Sequence, residues 1–287
     1  MLKINIKKYL IMKKIIIIGA GAMGSAFAVP CLENKNEVTI IGTHLEDDLI
    51  DSIKSNNNFH PALKVELPTK LKVEKYEKLK SILEREVDII VAGVSSIGIE
   101  WFVNQISKNY KKNLPIILLT KGLAIEDNEL ITLSDKIKKL LKKQGHEEVN
   151  VSAIKGPCLA AGLAYKMRTG TVIANPDIKE TEKLKKIIST DYYSTEISDD
   201  LTGVELAGAI KNIYSMLIGA SEGLSNSKAP KEIQSKYYLN TSASLIHRSI
   251  SEMVEFVSYY GGKVDTVYGL AGLGDLYVSA IGGRNSL

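Results

Sequence analysis

This sequence predicts an α/β fold, a doubly wound sheet followed by an all-α segment, on three observations. Short β-branched runs alternate with helical patterns through the first two thirds of the chain. One of those runs ends in a turn with regularly spaced glycines. Beyond Asp199-Asp200 the apolar spacing is helical and strand signals vanish.

The first strand is Ile15-Ile16-Ile17-Ile18, four consecutive β-branched residues suited to a strand buried on both faces. Gly19, Gly21 and Gly24 follow in G-x-G-x-x-G order. Gly19 permits the tight turn, Gly21 lets a pyrophosphate approach the backbone, and Gly24 lets the next helix lie close to the sheet. Free N–H groups at that helix start suit phosphates, so the motif points to dinucleotide binding. Two other readings compete: a glycine-rich turn of another α/β domain, and a signal peptide. Met12-Lys13-Lys14, an apolar run through Val29 and Ser25-Ala26-Phe27-Ala28 fit the second pattern. Glu37-Val38-Thr39-Ile40-Ile41 decides against export, because it reads as a second buried strand at βαβ distance and cleavage would remove its partner.

Further strands are expected at Val87 to Gly93, Pro115 to Leu119, Thr171 to Ala174 and Tyr192 to Ile197. Helical patterns lie between them, such as Asn128 to Lys143, and Pro30 is expected to kink or end the first helix. Leu201 to Leu224 and Thr241 to Tyr260 read as helices, with Ser225 to Lys236 as a polar loop. The expected organisation is therefore an extension over 1–12, a nucleotide-binding domain over 13–197 and a helical domain over 198–287.

Composition narrows the function classes. The 287 residues are 45% hydrophobic and 24% charged, ordinary for a globular protein. The net charge of +4 comes from dispersed lysines, with no basic stripe interleaved with aromatics, which argues against nucleic acid. The uncharged stretch from Ile15 to Leu32 is interrupted by glycines and Pro30 and falls short of the roughly 20 apolar residues of a membrane span. Cys31 and Cys158 stand far apart, against a disulfide framework and for a reducing, cytoplasmic setting. His44, His60, His146 and His247 are scattered, and no metal is expected.

Ligands of open α/β sheets bind beyond the carboxyl ends of the strands. Three loops fall there: Gly93-Val94-Ser95-Ser96, Thr120-Lys121-Gly122 and Lys155-Gly156-Pro157-Cys158. Lys121 immediately follows a buried strand; its bland reading is a solvated loop lysine. Lys211 is sharper. Its helical neighbours Val204, Ala207, Gly208, Tyr214, Ser215 and Ile218 make a small, largely apolar face, which should desolvate the ammonium and lower its pKa. A lysine so poised can donate a proton to a carbonyl oxygen as hydride arrives at the carbon; the alternative is a lysine snorkelling from the helix edge. Near the end, Asp275 can balance lysine charge and Ser279 can donate a hydrogen bond. Gly282-Gly283 beside Arg284 suits a phosphate, unless this is only a flexible glycine-rich terminus. Arg85, Arg168, Arg248 and Arg284 are the only arginines in a chain that otherwise uses lysine, so a guanidinium here points to a need for an oxyanion fork.

Together these pieces resemble the NAD(P)-dependent glycerol-3-phosphate dehydrogenases. The resemblance runs from Lys13 to Asn285. It rests on Gly19 to Gly24, Thr120-Lys121-Gly122-Leu123, Gly156-Pro157, Gly203 to Asn212, Glu252-Met253, Gly269 to Leu276 and Gly283-Arg284-Asn285. The turn His60-Pro61 and the form of the N-terminal half look closest to archaeal-type members. The resemblance implies a Rossmann domain with a helical substrate domain, and reversible reduction of dihydroxyacetone phosphate to sn-glycerol 3-phosphate. Lys211 matches the family's catalytic lysine, and Lys121 and Asp275 match its supporting charges. Arg284 and Asn285 match the substrate-phosphate contacts, with Ser279 and Asn212 nearby. Gly19, Gly21, Ala22, Met23 and Gly24 match the pyrophosphate loop, and Ser95 lies where the family holds the nicotinamide half; Thr43, His44, Lys121 and Arg284 are also expected to contact the coenzyme.

The chain departs from the pattern in places. Cys158 and Gly162 stand where serine and glutamate are usual, and Ser249 replaces a usual glycine. The family continues for several helices past the phosphate-contacting arginine, so a C-terminally short chain is expected to bare apolar surface and loosen Arg284. The second strand ends in Gly42, then Thr43 and His44, with no acid to repel a 2′-phosphate. NADP is therefore favoured over NAD, although Glu46 and Asp47 follow. The partner expected is a phosphorylated small molecule, with a homodimer left open. Two other functions stay open: a dehydrogenase of another 2-keto or 2-hydroxy acid, and a non-catalytic nucleotide-binding protein.

Overall fold

The computed structural model describes residues 12–226, 230–236 and 239–282. Arg284 and Asn285 lie outside the described residues. The main sheet holds β1 (Lys14–Ile18), β2 (Glu37–Ile41), β3 (Lys72–Glu74), β4 (Ile89–Ala92), β5 (Ile116–Leu118), β6 (Val151–Lys155), β7 (Thr169–Ala174) and β8 (Tyr193–Ser198). Their order across the sheet is 3-2-1-4-5-6-7-8. The first six strands thus carry the two-halved nucleotide-binding arrangement, with its switch point between β1 and β4.

The isoleucine run is buried on both faces. Ile15 and Ile17 pack with Phe27, Val29 and Ile50 on one side, while Ile16 and Ile18 pack with Phe102, Val103 and Ile137 on the other. Alternation of side chains along a strand gives each face its own core, and helices cover both. These helices include α1 (Ala22–Glu33), α2 (Ile99–Ile106) and α3 (Leu133–Lys143).

The sheet is mixed, because β7 pairs antiparallel with β6 through Ala153 and Ala174. Two local expectations are corrected. Pro30 does not end α1, which runs three residues further. Pro30 removes only its own N–H donor, and the helix closes past it, with Asn34 N–H reaching the Pro30 carbonyl at 3.2 Å. The helical pattern from Asn128 is in part a hairpin, Leu123–Glu126 against Glu129–Thr132. Asp127 and Asn128 between them both have positive φ, 53° and 63°, the conformation of a tight two-residue hairpin turn.

After β8 the described chain is helical. α4 (Leu201–Asn226) is followed by a short helix α5 (Lys231–Lys236), so the expected polar loop is partly helical there. α6 (Leu239–Tyr259), α7 (Val264–Tyr268) and α8 (Asp275–Ile281) complete it, with a π-helical turn at Leu270–Gly274. Leu206, Ile210, Ile218, Met253, Val257, Val267 and Leu276 form a separate core. Asp200 anchors the start of α4: its carboxylate accepts the Gly203 N–H at 2.9 Å, the Lys263 N–H at 2.8 Å and the Thr266 hydroxyl at 2.6 Å. The junction with the sheet is apolar, with Leu201, Val204 and Ala271 against Ala153, Val172 and Ala174.

Gly24 shows how tightly the first turn is built. A Cβ there would stand 2.5 Å from the Gly19 carbonyl oxygen, a backbone atom with nowhere to go. Gly24→Ala should cost about 1–3 kcal/mol of stability, read as a lower denaturant midpoint. An unchanged midpoint would show that α1 can part from the loop without cost.

Candidate active site

The turn after β1 leads into α1 at the switch point. Gly19 has φ +107°, and a Cβ on it would meet the Gly93 backbone at 2.7 Å, so the loops after β1 and β4 touch. Gly21 is open: the nearest atom to a Cβ there is a Glu46 carboxylate oxygen at 4.0 Å. A dinucleotide's pyrophosphate fits this bare backbone beside the N-terminus of a twelve-residue helix. Ser95, exposed, begins the turn after β4 on the same edge.

At the end of β2, Thr43 N–H donates to Glu46 Oε2 at 2.8 Å, and Ala20 N–H donates to the same oxygen at 3.1 Å. Glu46 therefore joins the loops after β1 and β2. The exposed His44 ring lies 5.1 Å from that of Trp101 and 6.4 Å from that of Tyr76, centroid to centroid. Neither Glu46's bonds nor the aromatic trio is visible in local sequence.

The chemistry-bearing groups meet beyond the carboxyl ends of β5 and β6. Lys211, on the buried face of α4, is 3% exposed. Its Nζ lies 2.6 Å from Asp275 Oδ1 and also bonds the Ser279 hydroxyl. Lys121 reaches the other oxygen, Asp275 Oδ2, at 2.5 Å. One carboxylate thus bridges two ammonium groups that are 90 residues apart in sequence. Lys121 is not the solvated loop lysine of the bland reading. Lys211 sits among the small side chains its helical neighbours promised, and burial, reinforced by the Lys121 cation, lowers its pKa to about 8 against the pull of Asp275. Asn212, next along α4, is exposed.

Two further charges lie beneath this pair. Lys155, the last residue of β6, is 2% exposed, and its Nζ donates to the Thr120 carbonyl at 2.6 Å and the Leu118 carbonyl at 3.2 Å. Thr120 in turn donates its hydroxyl to the Val94 carbonyl at 2.6 Å. Burial brings the Lys155 pKa to about 8, with Glu205 opposing. Glu205 lies on α4; burial pushes its carboxyl above the ordinary range, and one oxygen accepts the Ser134 N–H at 3.2 Å, at the start of α3. Sequence reasoning placed Lys155 in a strand-end loop but assigned it no role, and it missed Glu205. The available signal was a lysine closing the short run Val151-Ser152-Ala153-Ile154.

A cavity of about 1060 Å³ opens at the opposite, amino end of the strands among Lys13, Asp88, Asn113 and Asn150. It is remote from every group above. No group of three or more His, Cys, Asp or Glu side chains among the described residues is placed to hold a metal ion.

Residues 14–181 match the model of the NAD-dependent glycerol-3-phosphate dehydrogenase N-terminus, and residues 200–287 match that of its C-terminus. The chain belongs to this family. It is an NAD(P)-dependent oxidoreductase, a glycerol-3-phosphate dehydrogenase. It is 35% identical over 271 residues to the NADP(+)-dependent glycerol-3-phosphate dehydrogenase of Archaeoglobus fulgidus, covering 94% of this chain and 77% of that one. It is 30% identical to the glycerol-3-phosphate dehydrogenase [NAD(P)+] of Mesoplasma florum, over 93% of this chain and 75% of that one. The crystal structure of glycerol-3-phosphate dehydrogenase from Coxiella burnetii superposes with a TM-score of 0.79 at 28% identity, covering 96% of this chain and 77% of that one.

Proposed function

We propose that Lys211 of this glycerol-3-phosphate dehydrogenase donates the proton to the ketone oxygen of dihydroxyacetone phosphate, and takes it back in the reverse reaction. The observation that carries this reading is the Asp275 carboxylate held between Lys211 and Lys121. When bound, the reduced coenzyme supplies the hydride to the ketone carbon. Lys211 has what the other half of the reaction needs. Its ammonium is desolvated enough to release a proton near neutral pH, and Asp275 and Ser279 hold it in one direction. Lys121 places a second positive charge where an alkoxide would develop, the preorganised stabilisation that lowers such barriers. Gly19, Gly21, Ala22 and Met23 would hold the pyrophosphate, with Gly24 keeping α1 close against that loop, and Ser95 would border the nicotinamide half. By resemblance, Arg284 and Asn285 bind the substrate phosphate and Asn212 lies close to it.

NADP is the favoured coenzyme on this reading, supported by the absence of an acid in Gly42-Thr43-His44 and by the name of the Archaeoglobus relative. Glu46 works against it, since its carboxylate is tied to Ala20 and Thr43 N–H beside the open Gly21. Glu46→Gln should raise kcat/KM for NADPH relative to NADH by roughly fivefold, the worth of about 1 kcal/mol between two charges across a solvated gap. An unmoved ratio would mean that the carboxylate does not face the 2′-position.

The assignment is tested by following NADH and NADPH oxidation with dihydroxyacetone phosphate, and with unphosphorylated dihydroxyacetone as control. Turnover should require the phosphorylated ketone. Coenzyme binding with no turnover would overturn it. The reading also includes a nucleotide-binding domain over 13–197, a helical substrate domain over 198–287 and a cytoplasmic setting, with a homodimer left open. The domain division is supported by the change to helices after Ser198. No described helix is long and apolar enough to cross a membrane.

A further inference from the structure

We propose that Lys155 is a positioning residue for the reaction, a buried strut that keeps the carriers of Lys121 and Lys211 in register. The inference rests on the roles assigned above to those two lysines. They come from different elements: Lys121 from the turn after β5, Lys211 from α4 in the helical segment. Lys155 touches both carriers from a third. Its ammonium closes on the carbonyls of Leu118 and Thr120, fixing the backbone directly before Lys121. Its stem lies under α4, where a Cβ on Gly208 would stand 3.3 Å from Lys155 Cγ. Gly208 is three residues before Lys211 on the same face of the helix.

Charge holds the strut in place. Buried carbonyls and a buried ammonium each need a partner, and here they satisfy one another. The Glu205 carboxylate, one turn before Gly208 on α4, acts on the same ammonium and has one oxygen with no hydrogen-bond partner. A fully buried lysine makes a costly structural tie, and a methionine of similar length would fill the same volume. What methionine lacks is the pair of bonds to the turn that aims Lys121. A shift of about 1 Å in a positioning group costs on the order of 100-fold in rate.

The test compares Lys155→Met with Lys155→Met/Glu205→Gln, in which the buried charges are removed together, and with Gly208→Ala, which keeps every charge and presses only on the lysine stem. Lys211→Ala is run beside them. In both Lys155 variants kcat should fall by roughly 10–100-fold and the KM for dihydroxyacetone phosphate should rise, with coenzyme affinity by fluorescence titration unchanged. Gly208→Ala should move both parameters in the same direction by less. A double variant with the wild-type rate would show that Lys155 merely neutralises Glu205, and would overturn the proposal. So would a fall in kcat with KM unmoved, which is what loss of folded enzyme gives. If neither Lys155 variant folds, Gly208→Ala decides: wild-type kinetics there overturn the strut. Turnover retained in Lys211→Ala would instead bring down the underlying assignment of the site.

Discussion

Replacing Lys211 with alanine should lower kcat for dihydroxyacetone phosphate reduction by about 100- to 10,000-fold, the range expected when a positioned general acid is removed. At 1.36 kcal/mol per decade this is roughly 3–5 kcal/mol of barrier. The fold should survive, because Asp275 keeps its bond to Lys121 at 2.5 Å. Coenzyme affinity should hardly move, since the glycine loop lies on other elements. The pH profile gives an independent check. The buried Lys211, beside the Lys121 cation and against the Asp275 carboxylate, titrates at about 8. Ketone reduction needs the protonated form, so its rate should be level below about pH 8 and fall above it. Alcohol oxidation needs the free amine and should rise through the same pH. In Lys211→Ala both inflections should vanish, and a variant retaining them at the wild-type rate would remove Lys211 from the reaction.

Asp275→Ala should be the most damaging single change to stability and activity together. It leaves two ammonium groups facing one another, one of them only 3% exposed, with no carboxylate between them. Removing one partner of a buried pair costs about 3–5 kcal/mol, which thermal unfolding would show directly. Asp275→Asn separates the two effects, because the amide keeps the shape and loses the charge. The carboxylate is what holds the Lys211 pKa up against burial and Lys121. Without it that pKa should drop below 8, carrying the fall in ketone reduction to lower pH. A wild-type pH profile in Asp275→Asn would show that the carboxylate does not set the charge of Lys211.

Much of this arrangement was legible because it is local. The glycine spacing after Ile18 states a turn and a close approach, and Gly19 and Gly24 are built that way. The helical period places Lys211 on a face of small residues, and that face is buried. The hairpin turn at Asp127-Asn128 was also written locally, but the lysine-rich pattern of the helix after it masked the signal. The antiparallel β7 could not be read, because an apolar run is the same in either direction. Arg284 and Asn285 lie outside the described residues; the local Gly282-Gly283-Arg284 pattern and the resemblance carry their part in the site.

By itself, then, the sequence determined the alternation of strand and helix, the phosphate loop and the identity of the amine on α4, since each depends on neighbours within a turn or a strand. Only the tertiary structure decided that Asp275 bridges two lysines, that Lys155 reaches the turn before Lys121, and that Glu46 closes on Ala20. These contacts join residues 26 to 154 positions apart, so no local periodicity encodes them. They exist because strand-end loops and the helices α4 and α8, from separate parts of the chain, converge beyond the carboxyl ends of the strands, where buried charges must find partners.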